Sequence, residues 1–280
     1  MNHNPHNDTS HYNRSFAIGV TLNVIFGAVE AFYGVRAHSL ALIAHAGHNL
    51  SDVLSLLLAW GASLLDARAA TERRTYGFRK ATIMASLASA IMLLVALGGI
   101  AWEAVGRLLD PGPVEGATVI LVAAVGVVIN TLTALLFLKG QTEDLNIRAA
   151  FLHMAADAAV SAGVVVAGFV IMVKGWPWID PIVSMIIVAV IFIGTWALLR
   201  DSLNYAIDAV PKSVDLPGIR KYLLGFDRVE RIHDLHVWPL STTETALTVH
   251  IVVADNTLDN QFLLDLRDHL HDRFGIGHST

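Results

Sequence analysis

Two histidine–aspartate pairs are the residues of this chain best suited to metal chemistry. His48 and Asp52 are four residues apart, and His153 and Asp157 repeat that spacing. Residues i and i+4 lie on one face of a helix, so each pair presents an imidazole nitrogen and a carboxylate oxygen together. Two nitrogens and two oxygens form a tetrahedral set suited to Zn²⁺. A single pair is equally compatible with an intrahelical hydrogen bond, but the repetition favours a shared metal site.

The elements that must position these pairs are apolar stretches long enough to cross a membrane. The chain is 54% hydrophobic and only 15% charged, whereas soluble proteins carry about 25% charged residues. A membrane helix needs about 20 apolar residues. Six stretches meet this requirement: Ser15–Val35, Leu40–Leu65, Ala81–Trp102, Gly116–Leu138, Ala149–Val173 and Pro181–Leu199. We therefore predict an all-α membrane domain of six transmembrane helices over residues 15–200, embedded in the lipid bilayer.

The polar segment over residues 1–14 carries histidines and lacks the features of a cleavable signal peptide. Lys and Arg in short loops predict orientation, because they concentrate on the cytoplasmic side. One side of the predicted membrane domain holds most of these residues: Arg14, Arg68, Arg73, Arg74, Arg79, Lys80, Lys139, Arg148 and Arg200. The opposite side holds only Arg36, Arg107 and Lys174. We expect both termini in the cytoplasm, and the short loops favour the inner (plasma) membrane of a bacterium.

Other polar residues fall within the predicted spans. His45 precedes His48 by three residues and lies on the same stripe, so it is a third ligand, a proton relay, or a polar residue that lines the path. Asn23 and Asn130 are expected to form hydrogen bonds between helices. Glu30 lies near the outer end of the first span, and we expect it to reach the membrane interface.

Charged residues become denser after Arg200, which indicates a second, water-facing domain over residues 201–280. Helical spacing is expected over Val214–Leu224 and Thr257–Phe274. Between them, Val229–Trp238 and Thr245–Val253 are rich in β-branched residues that alternate as in strands. The predicted fold is a small α+β domain of αββα type. So small a domain is marginal alone, so dimerisation or bound metal would help to stabilise it.

Several motifs in order along the chain resemble the cation diffusion facilitator family, particularly its zinc-transporting branch: HNLSD, RRTYGFRK, HMAAD, IHDLHVW and LTVHI. The resemblance implies a homodimeric bacterial zinc/proton antiporter, a secondary transporter rather than an enzyme. By position, it assigns the transport site to four residues: His48, Asp52, His153 and Asp157. It also implies a regulatory zinc site in the cytoplasmic domain, with a second set of candidates: His233, His250, His278 and, beside them, His236.

The chain departs from the family pattern in places. Relatives often have Asp at the position of His45 and an acidic residue at the position of Thr82. Their cytoplasmic domain usually continues with another strand beyond a segment like FGIGHST, so a domain shortened at Thr280 is one alternative.

Composition and motifs narrow the function to transport or binding of metal. The absence of cysteine excludes disulfides and thiolate catalysis, and a net charge of −5 does not favour nucleic-acid binding. A metal-dependent hydrolase lacks support, because no HExxH motif or serine–histidine pair is present. Two alternatives stay open: a membrane metal sensor that binds without transport, and a transporter whose main substrate is Co²⁺, Cd²⁺ or Ni²⁺.

Overall fold

The computed structural model describes residues 6–66, 68–138, 145–253 and 260–280; of these, the side chains of residues 6–20, 52, 55, 56, 59, 60, 63, 66, 137 and 145–150 are not described. The chain divides into two compact units. The first contains Met1–Leu54 and Ile91–Trp196, and the second contains Ser55–Ala90 and Ala197–Thr280.

Six long helices precede the α+β domain: α1 (His6–Arg36), α2 (Leu40–Asp66), α3 (Ala81–Leu109), α4 (Gly116–Phe137), α5 (Leu145–Lys174) and α6 (Ile179–Ala206). They correspond to the six predicted stretches, although α1 begins at His6 rather than near Ser15. Within the described part of the chain, four helices are long and apolar enough to cross a membrane, namely α3, α4, α5 and α6.

The core of the first unit consists of side chains from the apolar faces of these helices. Its larger buried members are Phe26, Leu42, Leu97, Val119, Val164 and Ile187. Two glycines bring α4 and α5 into unusually close approach: a Cβ atom on Gly116 would lie 2.8 Å from the carbonyl oxygen of Gly168. Any side chain at Gly116 would therefore push the two backbones apart.

The second unit contains the α+β domain, in the order α7 (Leu216–Leu223), β1 (Val229–Pro239), β2 (Thr245–Val253), α8 (Asn260–Phe274) and β3 (Ile276–Ser279). Strands β1 and β2 are antiparallel, and β3 pairs parallel to β2. Helix α7 begins after Asp215, whose carboxylate accepts a hydrogen bond from the N–H of Gly218. Ile219, Leu247 and Leu270 form part of the core between helices and sheet.

The predicted αββα order is wrong in one element, because β3 adds a third strand. The four residues Ile276–Ser279 are too short to give a clear strand pattern, and β3 instead depends on pairing with β2. Strand β3 lies within the segment FGIGHST itself.

The α2–α3 connection also belongs to the second unit and contacts the α+β domain. Arg79 forms an ion pair with Glu244 in the β1–β2 turn. The hydroxyl of Thr82 accepts a hydrogen bond from the backbone N–H of Thr242 at 3.1 Å. Thr82 thus binds a backbone donor in the same turn that Arg79 contacts.

Candidate metal centre

Helices α2 and α5 bring three of the four predicted transport-site residues together. The Nε2 atom of His48 lies 3.6 Å from Oδ1 of Asp157, and Nε2 of His153 lies 3.6 Å from Oδ2 of the same carboxylate. The two imidazole rings meet edge to face, with their centroids 5.7 Å apart. One carboxylate therefore lies between two imidazoles that come from different helices.

The spacing of these atoms is close to what a bound metal ion requires. One nitrogen or oxygen atom from each of His48, His153 and Asp157 lies within 4.8 Å of the others. Ligand atoms about 2.0 Å from a tetrahedral zinc ion are separated by about 3.3 Å, so the 3.6 Å distances need only a small contraction. Asp157 is buried, whereas the His153 side chain is 42% exposed and marks the accessible side of the group.

Asp52 is the fourth predicted ligand, and its side chain lies outside the described part of the structure. Its backbone belongs to α2, one helical turn after His48. The helix therefore places Asp52 on the His48 face.

His45 lies in a second polar layer beside the first. Its Nδ1 atom is 2.8 Å from Oε1 of Glu30, and both residues are 1% exposed. Asn49 donates to Oε2 of the same carboxylate at 3.2 Å. On the other side of the ring, Nε2 of His45 lies 3.5 Å from the hydroxyl of Ser161 on α5. This layer links α1, α2 and α5 through buried polar groups.

A second candidate metal group lies in the α+β domain, where β1 and β2 place His233 opposite His250. Both Nδ1 atoms approach Oδ2 of Asp234, at 3.0 Å for His233 and 3.2 Å for His250. The hydrogen bond from His233 holds the pKa of the Asp234 carboxyl below its ordinary value, and the charge of His250 acts in the same direction. These three residues are exposed and offer ligand atoms within 4.8 Å of one another.

His236 and His278, the other two predicted ligands of the α+β domain, lie apart from this group. His236 pairs with Thr248 in the β ladder, beyond the irregularity that follows His233. The His278 ring contacts Tyr76 edge to face, with centroids 5.8 Å apart. Neither residue belongs to the group formed by His233, Asp234 and His250.

Sequence reasoning missed Asp234 and misplaced Glu30. Strict strand alternation places neighbouring residues on opposite faces, but Asp234 has φ of 50° within the β1 irregularity, so it joins His233. Aspartate adopts a positive φ more readily than most residues. That property was the only sequence signal for the irregularity in β1. The expectation that Glu30 reaches the interface is wrong, because its carboxylate is buried against His45 and Asn49.

The chain combines long apolar helices, a histidine–aspartate group around the buried Asp157, and a small α+β domain. These features define a membrane protein with a candidate cation site. The chain belongs to the cation efflux family. The family profile of the cation efflux transmembrane domain matches residues 16–205, and that of the cation efflux protein cytoplasmic domain matches residues 211–280. The resemblance found from the sequence motifs is confirmed.

Several named relatives match most of the chain. The metal cation efflux system protein CzcD of Cupriavidus metallidurans is 34% identical over 270 residues, which is 95% of this chain and 85% of that protein. The zinc transporter ZitB of Escherichia coli is 35% identical over 268 residues, 95% of this chain and 84% of the relative. A cadmium, cobalt and zinc/H(+)-K(+) antiporter of Bacillus subtilis is 31% identical over 256 residues, 90% and 82% of the two chains.

Proposed function

We propose that this protein exports divalent metal cations, with Zn²⁺ as the main substrate, in exchange for protons. The observation that carries this proposal is the group of His48, His153 and Asp157, drawn from two helices of the membrane domain. Ionisable groups at membrane depth are costly and mark ion pathways. The relatives named as a metal cation efflux protein, a zinc transporter and an antiporter support the same function.

Zinc is the favoured substrate because of the donor atoms. Imidazole nitrogens suit Zn²⁺, whereas Mg²⁺ and Mn²⁺ prefer sets made only of oxygen. Asp52 completes the proposed set as the fourth ligand, because it follows His48 by one helical turn. Cd²⁺ and Co²⁺ are secondary substrates in this proposal, since the Bacillus subtilis relative is named for both metals together with zinc.

Exchange follows from competition between metal and protons for the same side chains. Imidazole and carboxylate bind a metal ion only when deprotonated, so loading releases protons and protonation releases metal. Asp157 is placed to take part in both metal binding and proton binding, because its two oxygens contact two different imidazoles. Access to the group alternates between the two sides of the membrane, and His45 lines the path or relays protons beside it.

The membrane arrangement is part of the proposal. Helices α1 and α2 contain 31 and 27 residues, and at 1.5 Å per residue both exceed a hydrocarbon core about 30 Å thick. We place six spans within residues 15–200, both termini in the cytoplasm, and the protein in the bacterial inner membrane. The cytoplasmic domain, residues 201–280, mediates a homodimer and binds regulatory Zn²⁺ through His233 and His250.

The test is zinc uptake into proteoliposomes that contain a pH-sensitive dye. The wild-type protein should move Zn²⁺ and protons in opposite directions, and Asp157→Ala should lose both movements. Asp110→Ala, which removes an exposed carboxylate after α3, is the control and should retain them. Zinc movement that persists in Asp157→Ala would refute the site. Zinc binding without movement in the wild type would favour a sensor.

A further inference from the structure

The buried carboxylate of Glu30 holds α2 at the turn that presents His48. Its two oxygens contact His45 and Asn49, which lie three residues before and one residue after His48. Nδ1 is the ring nitrogen of His45 that contacts Glu30. The opposite ring nitrogen then faces Ser161, one helical turn beyond Asp157 on α5.

Stability alone does not account for a carboxylate at this position. A charge within a membrane protein costs several kcal/mol unless it is paired, and an apolar side chain of similar size avoids that cost. The two hydrogen bonds offset part of the cost for Glu30. They do so on a single turn of α2, where they fix the rotation of the helix about its axis.

Rotation of α2 matters because the ligand geometry is narrow. A side-chain atom about 5 Å from a helix axis moves by about 2 Å when the helix turns by about 20°. A preorganised site tolerates displacements of about 0.5 Å. The His48 to Asp157 contact, at 3.6 Å, would be lost by a rotation of that size.

We propose that Glu30 is a positioning residue for the zinc site, which acts by locking the rotation of α2 through His45 and Asn49. This inference rests on the proposed zinc transport function. It assigns no metal-ligating role to Glu30 itself, because the carboxylate oxygens contact His45 and Asn49 rather than His48 or Asp157.

The experiment compares Glu30→Gln with Asp180→Asn. Both variants are made in a parent protein that carries His233→Ala and His250→Ala, so that the metal group of the α+β domain does not contribute to zinc binding. Asp180 is the matched control, a buried carboxylate that also binds α2, at its first residues. Zinc affinity is obtained from the rise in unfolding temperature with Zn²⁺ concentration. We expect Glu30→Gln to weaken zinc binding about tenfold with a small change in the metal-free unfolding temperature.

Asp180→Asn should give the opposite pattern, with a lower metal-free unfolding temperature and nearly unchanged zinc affinity. In proteoliposomes the Glu30→Gln change should appear as a raised KM for Zn²⁺. A purely structural role for Glu30 predicts instead the Asp180→Asn pattern in both variants, and that result would overturn the proposal.

A second variant keeps the proposal testable if Glu30→Gln does not fold. Asn49→Ala removes one of the two partners and leaves the contact between Glu30 and His45 in place. A smaller loss of zinc affinity is expected, and unchanged affinity would overturn the inference. If the parent protein itself shows no zinc-dependent change in unfolding temperature, the proposed transport site fails rather than the role of Glu30.

Discussion

The carboxylate of Asp180, on α6, accepts a hydrogen bond at 2.6 Å from the backbone N–H of Leu40, the first residue of α2. It also accepts from the N–H of Ala41 and from the hydroxyl of Ser39, and that hydroxyl in turn accepts from the N–H of Leu42. Helix N-termini are usually capped by the residue that precedes them. Here the cap is shared between Ser39 and a side chain 140 positions away.

Replacement of this shared cap should destabilise the protein. Asp180→Ala leaves buried backbone donors of α2 without a partner, and leaving buried donors unsatisfied costs about 1–3 kcal/mol. Thermal unfolding in detergent should show a lower transition temperature. Asp110→Ala, at an exposed carboxylate, should leave the transition in place. Equal transitions in the two variants would contradict the capping role of Asp180.

The donor set of the membrane site should determine metal preference. His48→Asp replaces one imidazole nitrogen with a carboxylate oxygen, which should raise the ability of Mn²⁺ to compete with Zn²⁺. Zinc uptake into proteoliposomes measured with increasing Mn²⁺, Co²⁺ or Cd²⁺ gives the comparison. His38→Asp changes an exposed histidine in the α1–α2 turn and should keep the wild-type order. The same preference in both variants would argue against His48 as a ligand.

The group of His233, Asp234 and His250 should bind zinc independently of the membrane site. This binding should depend on Asp234. In a protein that carries Asp157→Ala, calorimetric titration should still detect zinc binding, and the addition of Asp234→Ala should weaken it about tenfold or more. Asp227→Ala, an exposed carboxylate of the same domain, is the control. Undiminished binding after loss of Asp234 would leave only the two histidines as ligands.

Asn130 should be replaceable without loss of stability. Its side chain is fully buried on α4, and neither amide atom has a hydrogen-bond partner among the described residues. Asn130→Leu removes that unsatisfied group and should raise the unfolding free energy by about 1 kcal/mol. Thr133→Val is the matched control, because the Thr133 hydroxyl donates to the carbonyl of Ile129 and gains nothing when removed. A less stable Asn130→Leu protein would contradict this expectation.

The sequence predicted the six long helices and the shared helical face of His153 and Asp157, because both depend on local periodicity. Apolar runs delimited α2 and α5, and the spacing of His153 and Asp157 already placed them on one helical face. Their approach to His48 required packing between distant helices, for which the repeated motif was the only signal.

Features that depend on long-range contacts escaped the sequence reasoning. From the sequence, Glu30 was expected at the membrane interface, but α2 packs against it in the structure. Asn130 was expected to form a hydrogen bond between helices, but none of its described neighbours provides a partner. Asp234 was hidden by a strand irregularity, and β3 by its dependence on β2. Spacing specifies the face on which a residue lies, but not what lies opposite that face.

The close approach of Gly116 to Gly168 should make α4 and α5 move as one rigid pair, since a Cβ on Gly116 would lie 2.8 Å from the carbonyl oxygen of Gly168. Helices this close cannot slide past each other without separating. A pair of spin labels, one on each helix, should therefore keep a constant separation throughout the proposed transport cycle. Because the chain contains no cysteine, two introduced thiols would be the only labelled positions. The distance between α4 and α5 would then be a fixed reference for measuring the motion of the other helices.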